Sequence, residues 1–193
     1  MAKKRIGVFG GIFDPVHKGH QAIVETALNR LSLDKIYIVP SAAPPHKPMP
    51  VLDTPARIKL LKAVFDRTDG VEVSDIEMAR SGPSYTFETI DFFKQKTGAQ
   101  LFFIMGADNI GEIKTWKHPE KILTRATVVV VERPGFDFLD KYPEYRDTMV
   151  SMKMDPSDIH SRQIRASLLQ GRLVDAQVPA EALALIKQHN WYC

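Results

Sequence analysis

The stretch GGIFDPVHKGH, Gly10 to His20, follows an apolar run at 5–9 and leads into an amphipathic run at 18–31. It therefore stands where a buried strand passes into a helix. Its glycines let the backbone approach a ligand closely, and the free N–H groups at the start of the helix form an anion site. His17 and His20 lie one helical turn apart and share a face at that helix N-terminus. Together these features predict a phosphate-binding site.

The rest of the chain alternates apolar runs with amphipathic ones. The apolar runs are continuous, which is typical of parallel strands covered on both faces. We therefore predict an α/β fold, a Rossmann-like open parallel sheet with helices on both faces, in a single domain over residues 1–193. Further strands are predicted at 35–40, 71–76, 100–105, 127–131 and 148–154, and further helices at 56–65, 84–96, 161–170 and 179–189. A helical stretch that carries Trp116 is predicted between the strands at 100–105 and 127–131. The proline-rich stretch 41–55 predicts a loop, and 134–143 an excursion before the last strand.

Composition narrows the function classes. The net charge of +3 and the pI near 8.9 favour phosphate-bearing partners. Because no lysine and arginine stripe is interleaved with aromatic residues, nucleic acid is not an expected partner. No apolar run reaches the roughly 20 residues of a membrane span, so we expect no membrane association. The one cysteine, Cys193, cannot form an internal disulfide, which is typical of a reducing, cytoplasmic setting.

Other interpretations of the opening stretch stand beside phosphate binding. Gly10-Gly11 after a strand also fits a plain turn, and a histidine pair at this spacing also occurs without a function. A zinc site would need a third and a fourth ligand, and the remaining histidines are scattered along the chain. The redox dinucleotide fingerprint GxGxxG is absent, which argues against a nicotinamide-dependent dehydrogenase.

The whole string closely resembles the GGTFDPxHxGH signature of the bacterial nicotinate mononucleotide adenylyltransferases, within the HxGH nucleotidyltransferase superfamily. Four more segments are similar to family motifs, so the resemblance spans nearly the whole chain: AAPPHKP at 42–48, GPSYTFETI at 82–90, MGADNIGEIKTW at 105–116 and DIHSRQIR at 158–165. It implies adenylyl transfer from ATP to nicotinate mononucleotide by direct in-line attack, giving nicotinate adenine dinucleotide and pyrophosphate. It also implies that Mg²⁺ is delivered with ATP. Because the family often forms dimers, a homodimer is an expectation as well.

The resemblance implies roles for the matching residues. The expected catalytic residues are His17, His20 and Arg165, which would contact the ATP phosphates. The other expected ATP-binding residues are Gly10, Gly11, Gly19, Gly106, Asp108, Arg133, Ser161 and Arg162, so that helices within 161–193 complete the ATP site. The expected acceptor-binding residues are Ile12, Phe13, Ser41, His46, Lys47, Thr86, Trp116 and Lys117. No residue is expected to be a dedicated metal ligand.

Within the acceptor set, the backbone N–H groups of Ile12 and Phe13 would face the mononucleotide phosphate. Trp116 would stack on the nicotinate ring, while Thr86 and the backbone N–H of Lys117 would bind its carboxylate. His46 and Lys47 would close over the site on a mobile loop.

Three of these residues also have a purely structural interpretation. Arg165 could be a solvated surface arginine, Trp116 a core aromatic, and Asp108 the N-cap of a helix that starts at Asn109.

The chain departs from the family motifs at a few positions. Ile12 stands where threonine is usual, and Ser41 where asparagine is usual. His160 replaces the usual serine and Arg162 the usual threonine of the last motif. Two alternative functions therefore stay open. One is an adenylyltransferase for nicotinamide mononucleotide or another phosphate acceptor, and the other is a nucleotide-binding module without catalysis.

Overall fold

A computed structural model describes residues 3–45, 48–132, 137–154 and 159–192. In these ranges six strands form a single sheet in the order β3-β2-β1-β4-β5-β6, and all neighbouring pairs are parallel. The strands are β1 Arg5–Gly11, β2 Lys35–Pro40, β3 Val71–Val73, β4 Gln100–Gly106, β5 Ala126–Glu132 and β6 Met149–Lys153. This is the strand order of the Rossmann fold, so the predicted fold class is confirmed.

Helices cover both faces of the sheet. They are α1 Lys18–Arg30, α2 Thr54–Phe65, α3 Thr86–Thr97, α4 Pro119–Arg125, α5 Phe138–Lys141, α6 Ser161–Leu169 and α7 Ala180–His189, with 3-10 helices at Ala107–Thr115 and Pro143–Tyr145. One core joins the sheet to α1, α2, α6 and α7. The second core joins the opposite face to α3, α4, α5 and the first 3-10 helix. No described helix combines the length and the apolar character that a membrane span requires.

The predicted strands are all present, but the third is shorter than expected. β3 ends at Val73 instead of continuing to residue 76. The Ser74 N–H still bonds to Ile38 O at 2.9 Å, and the chain then turns, with the Met78 N–H bonded to Asp75 O at 2.9 Å. Because β3 is an edge strand, only one neighbour holds it, and the alternating sequence beyond Val73 is not enough to extend it.

Two short helices were not predicted separately. Pro119 begins α4, where a Pro at the first position is favourable, and the predicted excursion at 134–143 contains α5 over its described part. Asp137 caps α5 by accepting N–H bonds from Leu139 and Asp140.

The strand order places the crevice of the sheet. The chain passes from β1 through α1 to β2 on one side, whereas β4 lies on the other side of β1. The carboxyl ends of β1 and β4, at Gly11 and Gly106, therefore border the point where the strand order reverses. Ligands of open α/β sheets bind at this point.

Candidate active site

Two adjoining cavities open at this edge of the sheet. The small cavity has a volume of about 120 Å³ and the large cleft about 810 Å³. The small cavity lies between the ends of β1, β2 and β4, the N-terminus of α3 and the segment around Trp116. The large cleft lies between the N-termini of α1 and α6. The two share one wall, formed by Gly10, Gly11, Ile12 and Asn109.

The two histidines of the opening stretch lie together in the large cleft. His17 is the N-cap residue of α1 and is only 7% exposed. Its ring stacks on that of His20, with the centroids 3.6 Å apart. The backbone N–H of His17 donates to His20 Nδ1 at 3.2 Å. In a neutral His20 the proton is therefore on Nε2, which makes this nitrogen a hydrogen-bond donor.

Phe13 shapes the turn that carries these histidines. It has a φ of 52°, in the left-handed region that side chains other than glycine rarely occupy. Its ring contacts those of Phe9 and His20 at centroid distances of 5.2 and 4.9 Å. A Cβ atom on Gly11 would lie 2.8 Å from the Phe13 ring. Residue 11 therefore needs to be glycine for this ring to hold His20 in place.

Helix α6 is tied directly to the opening stretch. Ser161 Oγ donates to Pro15 O at 2.9 Å, and Arg165 Nη1 donates to Asp14 O at 2.5 Å. The Arg165 side chain is 28% exposed and lines the large cleft, as does the exposed Arg162. Arg165 is therefore not a solvated surface arginine, because it is bonded to Asp14 O and lines the same cleft as the two histidines.

Asp14 is a buried carboxylate at the centre of this arrangement, and the sequence analysis gave it no role. It accepts hydrogen bonds from Tyr192 Oη at 2.6 Å, from Val51 N at 2.7 Å and from Leu52 N at 3.3 Å. The Arg165 guanidinium lies 3.8 Å away. Burial and the bond to Asp14 both raise the pKa of Tyr192, so its hydroxyl stays protonated and donates. Asp14 thus joins the opening stretch to α6 and to the C-terminal region.

Arg57 was missed as well. It is 1% exposed, and it donates to Ile12 O at 2.7 Å, to Leu52 O at 3.1 Å and to Thr54 Oγ1 at 2.9 Å. Burial lowers the pKa of the Arg57 guanidinium, while the nearby Asp14 carboxylate opposes that shift. The sequence gives only a weak indication of this role, because Arg57 is a lone arginine beside the apolar residues of an amphipathic helix.

The small cavity gathers the described residues expected to bind the acceptor ring: Thr86, Trp116 and Lys117, together with Ser41. Thr86 is the first residue of α3. The Trp116 ring is half-buried and meets Phe103 edge-on at a centroid distance of 6.2 Å. Trp116 is therefore a cavity-lining residue at the edge of the core. Lys117 Nζ lies 4.4 Å from the Tyr85 ring centroid.

The remaining expected residues fall into two groups. Gly19, Gly106 and Asp108 line the large cleft, and so does Phe13, which had been expected on the acceptor side. Asp108 does not cap a helix, because the 3-10 helix begins at Ala107 and Gly106 is its N-cap. His46, Lys47 and Arg133 lie outside the described residues. Among the residues that sequence reasoning missed, Glu77, Tyr85, Asn109 and Glu112 line the small cavity.

Comparisons with known proteins show the family of the chain. Residues 8–167 match the cytidylyltransferase-like family model. The chain is 36% identical to a Clostridium tetani protein named "probable nicotinate-nucleotide adenylyltransferase", over 98% of this chain and 99% of that protein. A Roseiflexus relative of the same name is 33% identical over the full length of both chains. The chain belongs to the nicotinate-nucleotide adenylyltransferase family.

Solved structures resemble the fold over nearly its whole length. The nicotinic acid mononucleotide adenylyltransferase of Plasmodium falciparum, complexed with NaAD, has a TM-score of 0.84. It is 18% identical in sequence, and the match covers 98% of this chain and 97% of that one. A second structure of the same protein, complexed with APC, has a TM-score of 0.81. Because the sequence identities are 18% and 17%, these two structures show a likeness of fold alone.

Proposed function

We propose that this protein transfers the adenylyl group of ATP to nicotinate mononucleotide, giving nicotinate adenine dinucleotide and pyrophosphate in NAD biosynthesis. The observation that carries the proposal is the wall shared by the two cavities, at Gly10, Gly11, Ile12 and Asn109. A ring bound in the small cavity and a triphosphate bound in the large cleft would bring their phosphates together along this backbone. The family to which the chain belongs supports the same reaction.

The large cleft would hold ATP. His20 presents a donor nitrogen, His17 is stacked on it, and Arg165 keeps one of its terminal nitrogens on Asp14 O. We assign to these three side chains the neutralisation of charge on the ATP phosphates as pyrophosphate leaves. Ser161, Arg162, Gly19 and the β4 end at Gly106 and Asp108 would complete the ATP site, with Arg133 beside the adenine.

The small cavity would hold the nicotinate ring. Trp116 offers a flat face, and Thr86 and the Lys117 N–H are the expected donors for the ring carboxylate. The N–H groups of Ile12 and Phe13 would receive the mononucleotide phosphate, with Ser41 beside them. His46 and Lys47 belong to the same proposal as a covering loop.

The reaction needs no nucleophilic side chain. A phosphate monoester at pH 7 is largely ionised, because its second pKa is about 6, so it can attack the α-phosphorus directly. The work of the protein is then positioning and charge neutralisation. Histidines, an arginine and backbone amides are suited to both tasks.

Mg²⁺ would arrive with the triphosphate. In the described part of the chain no group of three or more His, Cys, Asp or Glu residues is arranged to hold a metal ion. Mg²⁺ is usually bound through substrate phosphates and keeps several waters, so this side-chain set is compatible with metal that the substrate carries. The ion would supply charge neutralisation at the phosphates. We also assign the reaction to the cytoplasm, in keeping with the single cysteine, and we retain the homodimer as a prediction.

The test is pyrophosphate release from ATP and Mg²⁺ with nicotinate mononucleotide and nicotinamide mononucleotide in parallel. We expect turnover of the acid and little turnover of the amide, because a site with donors for a carboxylate discriminates strongly against an analogue that lacks it. Equal use of both would keep the reaction class but remove Thr86 and the Lys117 N–H as readers of the carboxylate. ATP binding without turnover of either acceptor would contradict the proposal and favour a nucleotide-binding module without catalysis.

A further inference from the structure

Glu77 is a buried carboxylate in the wall of the small cavity. It follows β3 at the carboxyl edge of the sheet and is 8% exposed. Its Oε1 accepts a hydrogen bond from Thr89 Oγ1 at 2.7 Å and lies 3.8 Å from Arg80 Nη2. Its Oε2 is fully buried and has no hydrogen-bond partner among the described residues. A buried polar oxygen without a partner is costly unless a ligand or a water completes it.

The side chains around Glu77 hold it in one orientation. Arg80 Nη2 donates to Thr89 Oγ1 at 2.6 Å, and Thr89 in turn donates to Glu77 Oε1. Arg80 Nη1 also contacts Glu88 at 3.3 Å. Thr89 is 3% exposed and lies in the first turns of α3, one turn beyond Thr86. The network fixes Oε1, while Oε2 stays buried without a partner in the wall of the cavity.

Three aromatic residues share the cavity wall with aliphatic and polar ones. Tyr85, Phe103 and Trp116 line it. Of the charged residues that line it, Glu112 and Lys117 are exposed and Glu77 is buried. Arg80 faces both Glu77 and Glu88, so this group of three charges keeps a net negative charge. Aromatic faces attract cations, and an ionised carboxylate inside a cavity of low dielectric attracts them more strongly than it would in water. This chemistry suits a flat ring that carries a positive charge.

We propose that Glu77 is a specificity-determining residue that acts as the counter-ion of the positively charged pyridinium ring of the acceptor. The inference rests on the proposed function and adds an electrostatic interaction that the family resemblance does not assign. In nicotinate mononucleotide the ring nitrogen that bonds to the ribose is a cation. Thr86, one helical turn from Thr89, would bind the ring carboxylate about 5 Å further along the wall. The positive ring nitrogen would then face Glu77, and the negative ring carboxylate would face the Thr86 hydroxyl.

The test uses two small probes of nearly the same shape, 1-methylpyridinium-3-carboxylate and 3-methylbenzoate. They share the carboxylate and differ in the charge of the ring. Their dissociation constants are measured by NMR titration of wild type and of Glu77→Gln, whose amide oxygen can still accept the Thr89 hydrogen bond. We expect wild type to bind the pyridinium probe about tenfold more tightly than the benzoate, and Glu77→Gln to lose most of that preference.

Two further variants separate charge from structure. Thr89→Val removes the hydrogen bond to Glu77 Oε1 but keeps the Glu77 carboxylate. It should therefore change the affinity of both probes by a similar factor. Glu181→Gln, an exposed position on α7, should change neither. An unchanged preference in Glu77→Gln, or wild type that binds the pyridinium probe no better than the benzoate, would overturn the assignment.

The probes need no catalysis, so a failure of the proposed reaction is visible separately as an absence of pyrophosphate release by wild type. With the full substrates, Glu77→Gln should raise KM for both the acid and the amide mononucleotide by a similar factor, about tenfold, with kcat little changed. A lower KM for the acid alone would mean that Glu77 repels the ring carboxylate, which contradicts the counter-ion role.

Discussion

The large cleft and the small cavity lie at the same edge of one sheet, yet they are built for different chemistry. The large cleft is bordered by the N-termini of α1 and α6, and its lining includes three histidines and three arginines: His17, His20, His160, Arg30, Arg162 and Arg165. The small cavity is bordered by aromatic and aliphatic side chains together with polar ones, and it has no histidine or arginine in its lining among the described residues. The secondary-structure elements that border each cavity therefore determine which chemical group that cavity suits. Helix N-termini and cations suit phosphates, whereas a narrow aromatic slot suits a flat ring.

The largest expected effect is in the large cleft. His20→Ala should lower kcat roughly 10²–10³-fold, because it removes a donor aimed at charge that develops during the reaction. If the two cavities work separately, the affinity for nicotinate mononucleotide should stay nearly unchanged. Steady-state kinetics and a binding titration give the two values. His189→Ala, at an exposed histidine on α7, is the matched control, and equal losses in both variants would contradict the role of His20.

Arg165→Met comes next. We expect kcat/KM for ATP to fall about 10²-fold, because the variant removes a charge-assisted contact to the phosphates. Arg165→Lys should restore only part of this activity, since lysine cannot bind Asp14 O and a phosphate in the same forked geometry. Kinetics at varied ATP measure the loss. Full activity of the lysine variant would show that charge alone is sufficient.

Tyr192→Phe tests the support beneath the large cleft. The variant removes the 2.6 Å bond to the buried Asp14, and hydrogen bonds to charged groups contribute about 1.5–3 kcal/mol. We expect the free energy of unfolding in urea to fall by that amount. Tyr142→Phe, at a tyrosine on the opposite side of the sheet, is the comparison variant. A loss no greater than that of the comparison variant would mean that Asp14 does not depend on the C-terminal region.

Thr86→Val probes the small cavity. It should lower kcat/KM for nicotinate mononucleotide about tenfold and leave KM for ATP unchanged, because only the carboxylate of the ring loses a donor. The preference for the acid over the amide should fall by a similar factor. The assay is the same one, run with both mononucleotides. Parallel losses for acid and amide would remove Thr86 from the reading of the carboxylate.

The smallest effect is expected at Arg162. Arg162→Thr restores the residue that is usual in the family motif, and we expect KM for ATP to rise about threefold, because an exposed charge is screened by solvent. The rise should shrink as the salt concentration increases. No change at low salt would place the Arg162 guanidinium away from the triphosphate.

Much of the fold and the location of the site could be predicted from the sequence, because local patterns encode them. The continuous apolar runs predicted the parallel strands, and the glycines and histidines after β1 predicted the crevice. The residues that hold the site together were not predictable. Asp14, Arg57 and Glu77 each bond to at least one partner that lies 12 to 178 residues away in the chain, and periodicity does not report such long-range contacts.

The end of β3 was not predictable for a related reason. Its alternating sequence fits a longer strand, but an edge position gives it a single neighbour. The extent of a strand at the edge depends on tertiary context more than on its own residues.

The most direct test of the two-cavity account is a crystal structure of the protein with nicotinate adenine dinucleotide bound. We predict the nicotinate ring in the small cavity against Trp116, the adenosine in the large cleft, and the two phosphates along the backbone of Gly10 to Ile12. A dinucleotide bound in the reverse direction, or bound wholly within the large cleft, would contradict the account.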